Sequence, residues 1–310
     1  MPKEVALVRE HKLDKITKQD SSVSYSQFLS FQNCPHQWYL RYVRKLGLYE
    51  PSIHTVFGTA MHETIQDWLT VMYEESVKKA MEVDLHQSLQ DKLRSVYKRE
   101  KAKSGHEHFT DAKELQSFYE DGVLILDYLK KHRTEYFATK NTHLVKVELP
   151  LVQELRPGLF FKGYVDLVFF NEVSGFYSIL DIKTSTSGWN EHTKKDESKV
   201  SQLILYKDFF SKQFNVDPEK IFVNFLILKR KVPANPEYAS MGKRIQEFSP
   251  PSGKIKRGQV SKSLKQFVDE CFDGEGKPID KEYTKNACKS SCIFCEFKTN
   301  KFLCNQALYD

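Results

Sequence analysis

The stretch from Gly163 to Tyr206 constrains this chain more than any other. It reads GYVDLVFF, then FYSILDIKTS, then SQLILY. The first two runs are apolar, β-branched or aromatic and are bounded by turn formers, the pattern of buried strands. Asn171 to Gly175 between them is a hairpin-length turn. Asp166 sits inside the first run, and Asp181 and Lys183 sit two apart in the second. Strand alternation sends Asp181 and Lys183 to one face. The spacing therefore predicts a hairpin that brings two carboxylates and a lysine together in apolar surroundings. Burial without a partner costs about 2–7 kcal/mol even for a neutral polar group, and more for a carboxylate. A hard divalent cation, Mg²⁺ or Mn²⁺, is the natural partner, because it takes carboxylate and carbonyl oxygens. The backbone carbonyl of Ile182 is placed to be one of those ligands. Lys183 could orient or deprotonate an attacking water, or stabilise charge on a phosphate.

Two flanking features extend the pattern. Gln202 and Tyr206 fall one turn apart on what reads as a helix, so they share a face. Upstream, GTAMHETIQ places His62 on a helix expected from near Gly58 to about Lys79, beside an apolar stripe of Met61, Ile65, Trp68, Leu69 and Met72. A lone histidine there would ordinarily be a packed or surface residue.

In this order, His62, Asp166, Asp181-x-Lys183 and Gln202-x-x-x-Tyr206 resemble the PD-(D/E)XK nuclease superfamily. They resemble its RecB-like branch in particular, which includes RecB and AddB nuclease domains and CRISPR adaptation-associated relatives. SYSQFLSFQNCPHQWYLRYV, Ser24 to Val43, is similar to that branch's N-terminal signature. The resemblance runs roughly from Ser24 to Tyr206, with a cysteine cluster at the end of the chain.

The resemblance implies an α/β fold: a mixed central sheet flanked by helices, a helical N-terminal region and a cysteine-stapled tail. One integrated nuclease domain is expected, with a helical region over 1–140, the core over 141–232 and the tail over 233–310. His62 would offer a neutral imidazole to the metal beside Asp166, Asp181 and the Ile182 carbonyl, which tilts the site toward Mn²⁺. Lys183 would position water and stabilise the transition state, and Gln202 and Tyr206 would orient the lysine or the substrate phosphate. RecB-type relatives mostly degrade from ends, so the implied activity is DNA exonuclease, in recombination, repair or replication, a phage source included. The partner would be DNA, single-stranded or with free ends, with a helicase or recombination protein as companion. A structure- or sequence-specific endonuclease is one rival. A catalytically silent DNA-binding subunit is another, against which intact Asp166, Asp181 and Lys183 argue.

The ending ACKSSCIFCEFKTNKFLC spaces Cys288-x3-Cys292-x2-Cys295-x8-Cys304. Such clustering in a chain without a secretion signal reads as metal binding before disulfides. Thiolates of this kind hold Zn²⁺ or an iron–sulfur cluster. AddB-like nucleases hold a [4Fe–4S] cluster with one N-terminal and three C-terminal cysteines, and Cys34, Cys292, Cys295 and Cys304 resemble that set. The long gap before Cys304 and the extra Cys288 depart from the pattern; Cys288 could complete a local Zn²⁺ site in place of Cys34. Either way the expected role is a structural staple. Cys271, in the helix SLKQFVDECF, reads as a buried thiol.

The formal charge is +6 with 47 Lys and Arg residues, which suits a polyanion partner but is weak support by itself. No apolar run approaches the roughly 18 residues of a membrane span. The first twenty residues are charged and lack an apolar core, so no signal peptide and a cytoplasmic location are expected, the host cytoplasm for a viral protein. Residues 1 to about 20 read as a loose arm or edge element. Trp38, Tyr39 and Tyr42, interleaved with Arg41, Arg44 and Lys45, could stack bases or could be core. Residues 82–138 read as charged helices, with Gly105 separating two of them and Asp111 capping the second. The run from Lys98 to Lys103 could touch phosphate, though a solvated face suits it better. HLVKVELPLV reads as the first core strand. Its Glu148 could join the metal site or face solvent. The polar segment Thr184 to Lys199 carries Trp189 and lysines that could contact substrate. The strand IFVNFLILKR should deliver Lys229, Arg230 and Lys231 near the site after a crossover, and KRIQEFSP reads as an edge strand.

Overall fold

A computed structural model describes residues 1–12, 17, 19–47, 49–105, 109–137, 139–235 and 237–306. Its elements in chain order begin with helix α1 (Lys3–Arg9), strand β1 (Ser21–Val23), α2 (Tyr25–Asn33) and α3 (Pro35–Trp38), which runs into a π-helical turn at Tyr39–Val43. Then come α4 (Ile53–Glu74), α5 (Val77–Glu82), α6 (Leu85–Ser104), α7 (Ala112–Lys131) and α8 (Arg133–Tyr136). Strands β2 (Thr142–Arg156), β3 (Leu159–Asn171) and β4 (Phe176–Ser185) follow, then α9 (Glu191–Lys195), α10 (Glu197–Phe214) and β5 (Ile221–Lys229). The chain closes with α11 (Ala239–Gly242), β6 (Ile245–Phe248), α12 (Lys254–Cys271) and α13 (Lys289–Cys292).

These elements form two compact units that interleave along the sequence. The first comprises Met1–His11, Glu50–Leu149 and Tyr164–Ser252. The second comprises Lys12–Tyr49, Pro150–Gly163 and Gly253–Asp310.

The first unit is built on a mixed sheet. β3 and β4 pair antiparallel, with Leu167 opposite Leu180 and Asn171 opposite Phe176. β4 and β5 pair parallel from Tyr177 opposite Ile221 to Ser185 opposite Lys229, with α9 and α10 as the crossover. β6 closes the edge antiparallel, with Phe225 opposite Phe248. Even-numbered β4 and β5 residues, Leu180, Ile182, Leu226 and Leu228, join one hydrophobic core with the α4 stripe. Odd-numbered Tyr177 instead packs its ring on Phe210 of α10. Period-two strands on period-3.6 helices thus give two apolar interfaces on one sheet.

α4 starts five residues before the expected Gly58, because the Ser52 hydroxyl caps it by accepting from His54 N at 3.1 Å. Gly122 of α7 permits a close helix approach. A Cβ there would meet Leu89 at 2.5 Å, Phe57 at 3.1 Å and Met61 at 3.2 Å. Gly105 ends α6 with φ +69° and Asp111 caps α7, as the turn chemistry predicts. Residues 1–20 differ from the loose arm expected of them. Lys3–Arg9 is a helix with Val5 and Val8 buried, tied down where Tyr177 OH donates to Glu4 O at 2.8 Å. The rest of that stretch lies partly outside the described residues.

In the second unit, β1 pairs parallel with the start of β3, Ser21 opposite Leu159. Its core is aromatic. Phe31, Trp38 and Phe272 surround Phe267 at ring separations of 5.0, 5.4 and 5.5 Å. Trp38 and Tyr39 are therefore core residues, not base-stacking ones. Burial pushes the Cys271 thiol up to about 12, as befits a structural residue. Among the described residues no helix is long and apolar enough to cross a membrane.

Candidate active site

The β3–β4 hairpin is fixed by its turn. Asn171 Oδ1 accepts from Val173 N at 3.2 Å and Ser174 N at 3.0 Å, and Gly175, at φ +71°, donates its N–H to Asn171 O. That turn sets the register, and one step beyond the Leu167–Leu180 pair Asp166 meets Asp181. Both carboxylates are buried, Asp181 to 2% relative exposure. Asp166 Oδ2 accepts from Ile182 N at 2.7 Å and lies 3.4 Å from His62 Nδ1. Lys183 Nζ lies 2.6 Å from Asp181 Oδ2 and donates to Gln202 Oε1 at 3.3 Å. Gln202 Nε2 in turn donates to Tyr206 OH at 3.1 Å. The hairpin, α4 and α10 thus bring His62, Asp166, Asp181, Lys183, Gln202 and Tyr206 into one connected set.

Two further residues complete it. Glu148 of β2 is exposed, yet its carboxylate, that of Asp166 and the His62 imidazole offer ligand atoms within 4.8 Å of one another. Glu148 has φ +49°, a left-handed conformation that a non-glycine strand residue rarely adopts. Strained backbone of this kind persists where surrounding structure enforces it. Glu148 is contacted by Gln66, which sequence reasoning missed. Its Nε2 donates to Glu148 Oε1 at 2.6 Å and to the Asp166 carbonyl at 3.4 Å. Gln66 lies one turn after His62 on α4, and that spacing was the available signal.

The electrostatics fit a cation. Burial and then the neighbouring Asp181 carboxylate raise Asp166 well above the usual carboxylate range. Burial lowers the His62 imidazole to about 4, so it is neutral, the form that ligates metal. The Asp181 carboxylate and the Ile182 backbone oppose that lowering without cancelling it. Burial alone would lower Lys183, but Asp181 and Asp166 outweigh it and hold the ammonium above its usual value. Asp181 Oδ2 is buried, and the Lys183 ammonium 2.6 Å away is its partner. Facing carboxylates and a neutral imidazole form a donor set that suits Mg²⁺ or Mn²⁺.

Lys229 pairs with Ser185, and Arg230 N and Lys231 N donate to Ser185 O and Thr186 O, so these three lie beside the residues that follow Lys183. The basic end of β5 is turned onto the protein. Arg230 lies 3.4 Å from Asp121 and stacks 3.8 Å over the Phe118 ring. Lys231 lies 2.7 Å from Asp121, and Lys229 donates to the Ser240 and Met241 carbonyls. Trp189 packs on Phe225 at 4.8 Å.

In the second unit, the segment around Cys34 is stitched to the tail. Ser291 Oγ donates to Asn33 O at 2.9 Å, and His36 Nε2 is 2.8 Å from Leu303 O. Arg41 Nε donates to Glu296 Oε1 at 2.6 Å. Burial raises the Cys295 thiol. All six cysteines are free. No three of these sulfurs come within 4.8 Å of one another. A tetrahedral zinc with bonds of about 2.3 Å needs its thiolates roughly 4 Å apart, whereas a larger cluster spaces them further.

A family model described as the PD-(D/E)XK nuclease superfamily matches residues 22–300. Among solved structures, one described as a "putative exonuclease" from Eubacterium rectale is similar in fold, with a TM-score of 0.50 and 12% identity. It covers 90% of this chain and 93% of its own. Another, described as SSO0001, aligns over 89% of this chain and 94% of its own at 13% identity, with a TM-score of 0.31. No curated protein matches the chain.

Proposed function

The chain belongs to the PD-(D/E)XK nuclease superfamily, and from that premise we propose that it is a divalent-metal-dependent deoxyribonuclease that works from DNA ends. The observation that carries the reading is the buried Asp166–Asp181 pair, with Lys183 and a neutral His62 against it. His62, Glu148, Asp166, Asp181 and the Ile182 carbonyl would hold the ion, Mg²⁺ or Mn²⁺. When bound, that ion supplies Lewis-acid polarisation of the phosphate and lowers the pKa of water. Lys183 places a positive charge where the phosphorane develops negative charge. Gln202 holds the lysine by accepting a hydrogen bond from its ammonium, and Tyr206 holds Gln202 by accepting from its Nε2.

The RecB-like branch is supported by the order of motifs, histidine first, then Asp166, Asp181-x-Lys183 and Gln202-x-x-x-Tyr206. Cys34, Cys292, Cys295 and Cys304 would hold a [4Fe–4S] cluster. The hydrogen bonds that tie the neighbours of Cys34, Asn33 and His36, to Ser291 and Leu303 of the tail support that set over zinc with Cys288. End-labelled linear DNA and closed circular DNA, each with Mg²⁺, Mn²⁺ or EDTA, test the activity. Metal-dependent loss of linear DNA with circles intact supports it, and equal cutting of circles makes the protein an endonuclease.

A further inference from the structure

Tyr164 stands two residues before Asp166 on β3, on the same strand face, about 7 Å along the chain. Strand residues from Val165 to Phe170 are all buried, whereas Tyr164 is 58% exposed. Among the exposed large apolar side chains of the described residues, it alone lies this close in sequence to a residue of the hairpin site. The flanking odd-numbered residues Val165 and Leu167 face the core at 1% and 0% exposure. A solvent-facing position on such a strand is satisfied by any polar side chain, so packing does not demand a ring here. The other exposed groups at the mouth are charged or ionisable, with the Lys183 side chain 33% and the His62 side chain 24% exposed.

We propose that Tyr164 is a base-stacking subsite, the platform for the nucleobase beside the scissile phosphate. The inference rests on the nuclease reading and deepens it to a substrate class. A base can cover an aromatic ring with its π-face only when it is free of its own stack, so the subsite selects single-stranded DNA or frayed ends. A phosphate held at Asp166 and Asp181 leaves its attached nucleoside about one residue spacing away, within reach of the Tyr164 ring. Stacking of this type tolerates any base, so no sequence preference accompanies it.

The test compares wild type with Tyr164→Ala, Tyr164→Phe and Tyr164→Trp on a single-stranded oligonucleotide and on blunt duplex DNA. Stacking of ordinary strength gives Tyr164→Ala roughly a 5- to 100-fold higher KM on the single strand. kcat should change little, and Phe and Trp should restore KM. A binding assay in Ca²⁺ with fluorescein-labelled single strand should show the same loss, and an abasic nucleotide at the flanking position should abolish the difference between wild type and Tyr164→Ala. Active wild type with an unchanged KM and unchanged binding in Tyr164→Ala overturns the subsite alone. Wild type that neither binds nor cuts DNA overturns the nuclease reading and the subsite with it.

Discussion

Gln66 Nε2 donates a 2.6 Å hydrogen bond to Glu148 Oε1, and this contact joins a left-handed strand residue to the helix that carries His62. Gln66 is buried and also reaches the Asp166 carbonyl. It therefore aims one carboxylate of the metal set and braces the strand of another. Groups that orient metal ligands are commonly worth 10- to 100-fold in affinity, here as an order of magnitude. Gln66→Leu keeps the volume and removes both bonds. Titration of the variant with Mn²⁺ by calorimetry should show affinity lowered by roughly 10- to 100-fold. Unchanged affinity would mean that Glu148 does not need Gln66.

The backbone of Glu148 gives a separate handle on the same residue. A left-handed residue with a Cβ costs about 1–2 kcal/mol, and glycine escapes that cost but loses more chain entropy on folding, about 0.5–1 kcal/mol. Without metal, Glu148→Gly should be more stable than Glu148→Ala by about 0.5–1 kcal/mol. Urea unfolding in EDTA measures the difference. An alanine variant equal to or more stable than the glycine variant would show that the strand relaxes out of that conformation.

Much of this site was legible locally. The hairpin, the shared face of Asp181 and Lys183, and the Gln202–Tyr206 pair follow from strand alternation, an Asn–Gly turn and helical spacing, all short-range rules. Glu148 stayed ambiguous because a left-handed residue breaks strand alternation, and nothing in HLVKVELPLV announces it. The pairing of Arg230 with Asp121 was not legible, because Asp121 lies 109 residues upstream. Trp38 stayed open between core and base stacking for the same reason, since its neighbour Phe267 comes from the far end of the chain. Non-local pairing also explains why Lys3–Arg9 escaped notice, since its burial depends on strands more than 130 positions later, as in the bond from Arg9 Nε to Val145 O.

The raised Asp166 sets a pH dependence. Its folded pKa lies above the unfolded value, because burial and then Asp181 oppose its charge. From the ordinary carboxylate range upward the folded protein keeps a proton that the unfolded chain has released, so stability falls as pH rises through that window. A bound cation takes the place of that proton. Between about pH 4 and pH 6.5 the lowered His62 imidazole acts with the opposite sign, so the Asp166 effect is read above that range. Thermal unfolding in EDTA from about pH 7 upward should therefore show a declining midpoint, with the stabilisation by Mn²⁺ growing toward the alkaline end. Asp181→Asn should flatten the decline. A midpoint in EDTA that climbs steadily with pH would contradict the buried pair.

The cysteines separate two metals. With a [4Fe–4S] cluster, anaerobically purified protein should be brown, Cys34→Ser should bleach it and Cys288→Ser should not. With local zinc the protein is colourless, carries about one ion per chain and depends on Cys288. Metal binding at such sites is folding free energy, so Cys295→Ser should open the tail to protease beyond about residue 270 in both cases. Absorbance, metal analysis and limited proteolysis of the three variants decide it. A Cys295→Ser protein that keeps its metal and its protease resistance would remove the cysteine site altogether.

Cleavage of end-labelled linear DNA by Asp181→Asn beside wild type bears most directly on the central claim. Asp181 is buried, faces Asp166 and holds Lys183, so losing its charge disables the cation site and the lysine together. Wild type should cut with Mg²⁺ or Mn²⁺ and stop in EDTA. Asp181→Asn should cut roughly 100-fold more slowly or not at all while still binding DNA, since binding rests mainly on Lys and Arg. Cleavage by Asp181→Asn at the wild-type rate in either metal would show that the chemistry lies elsewhere.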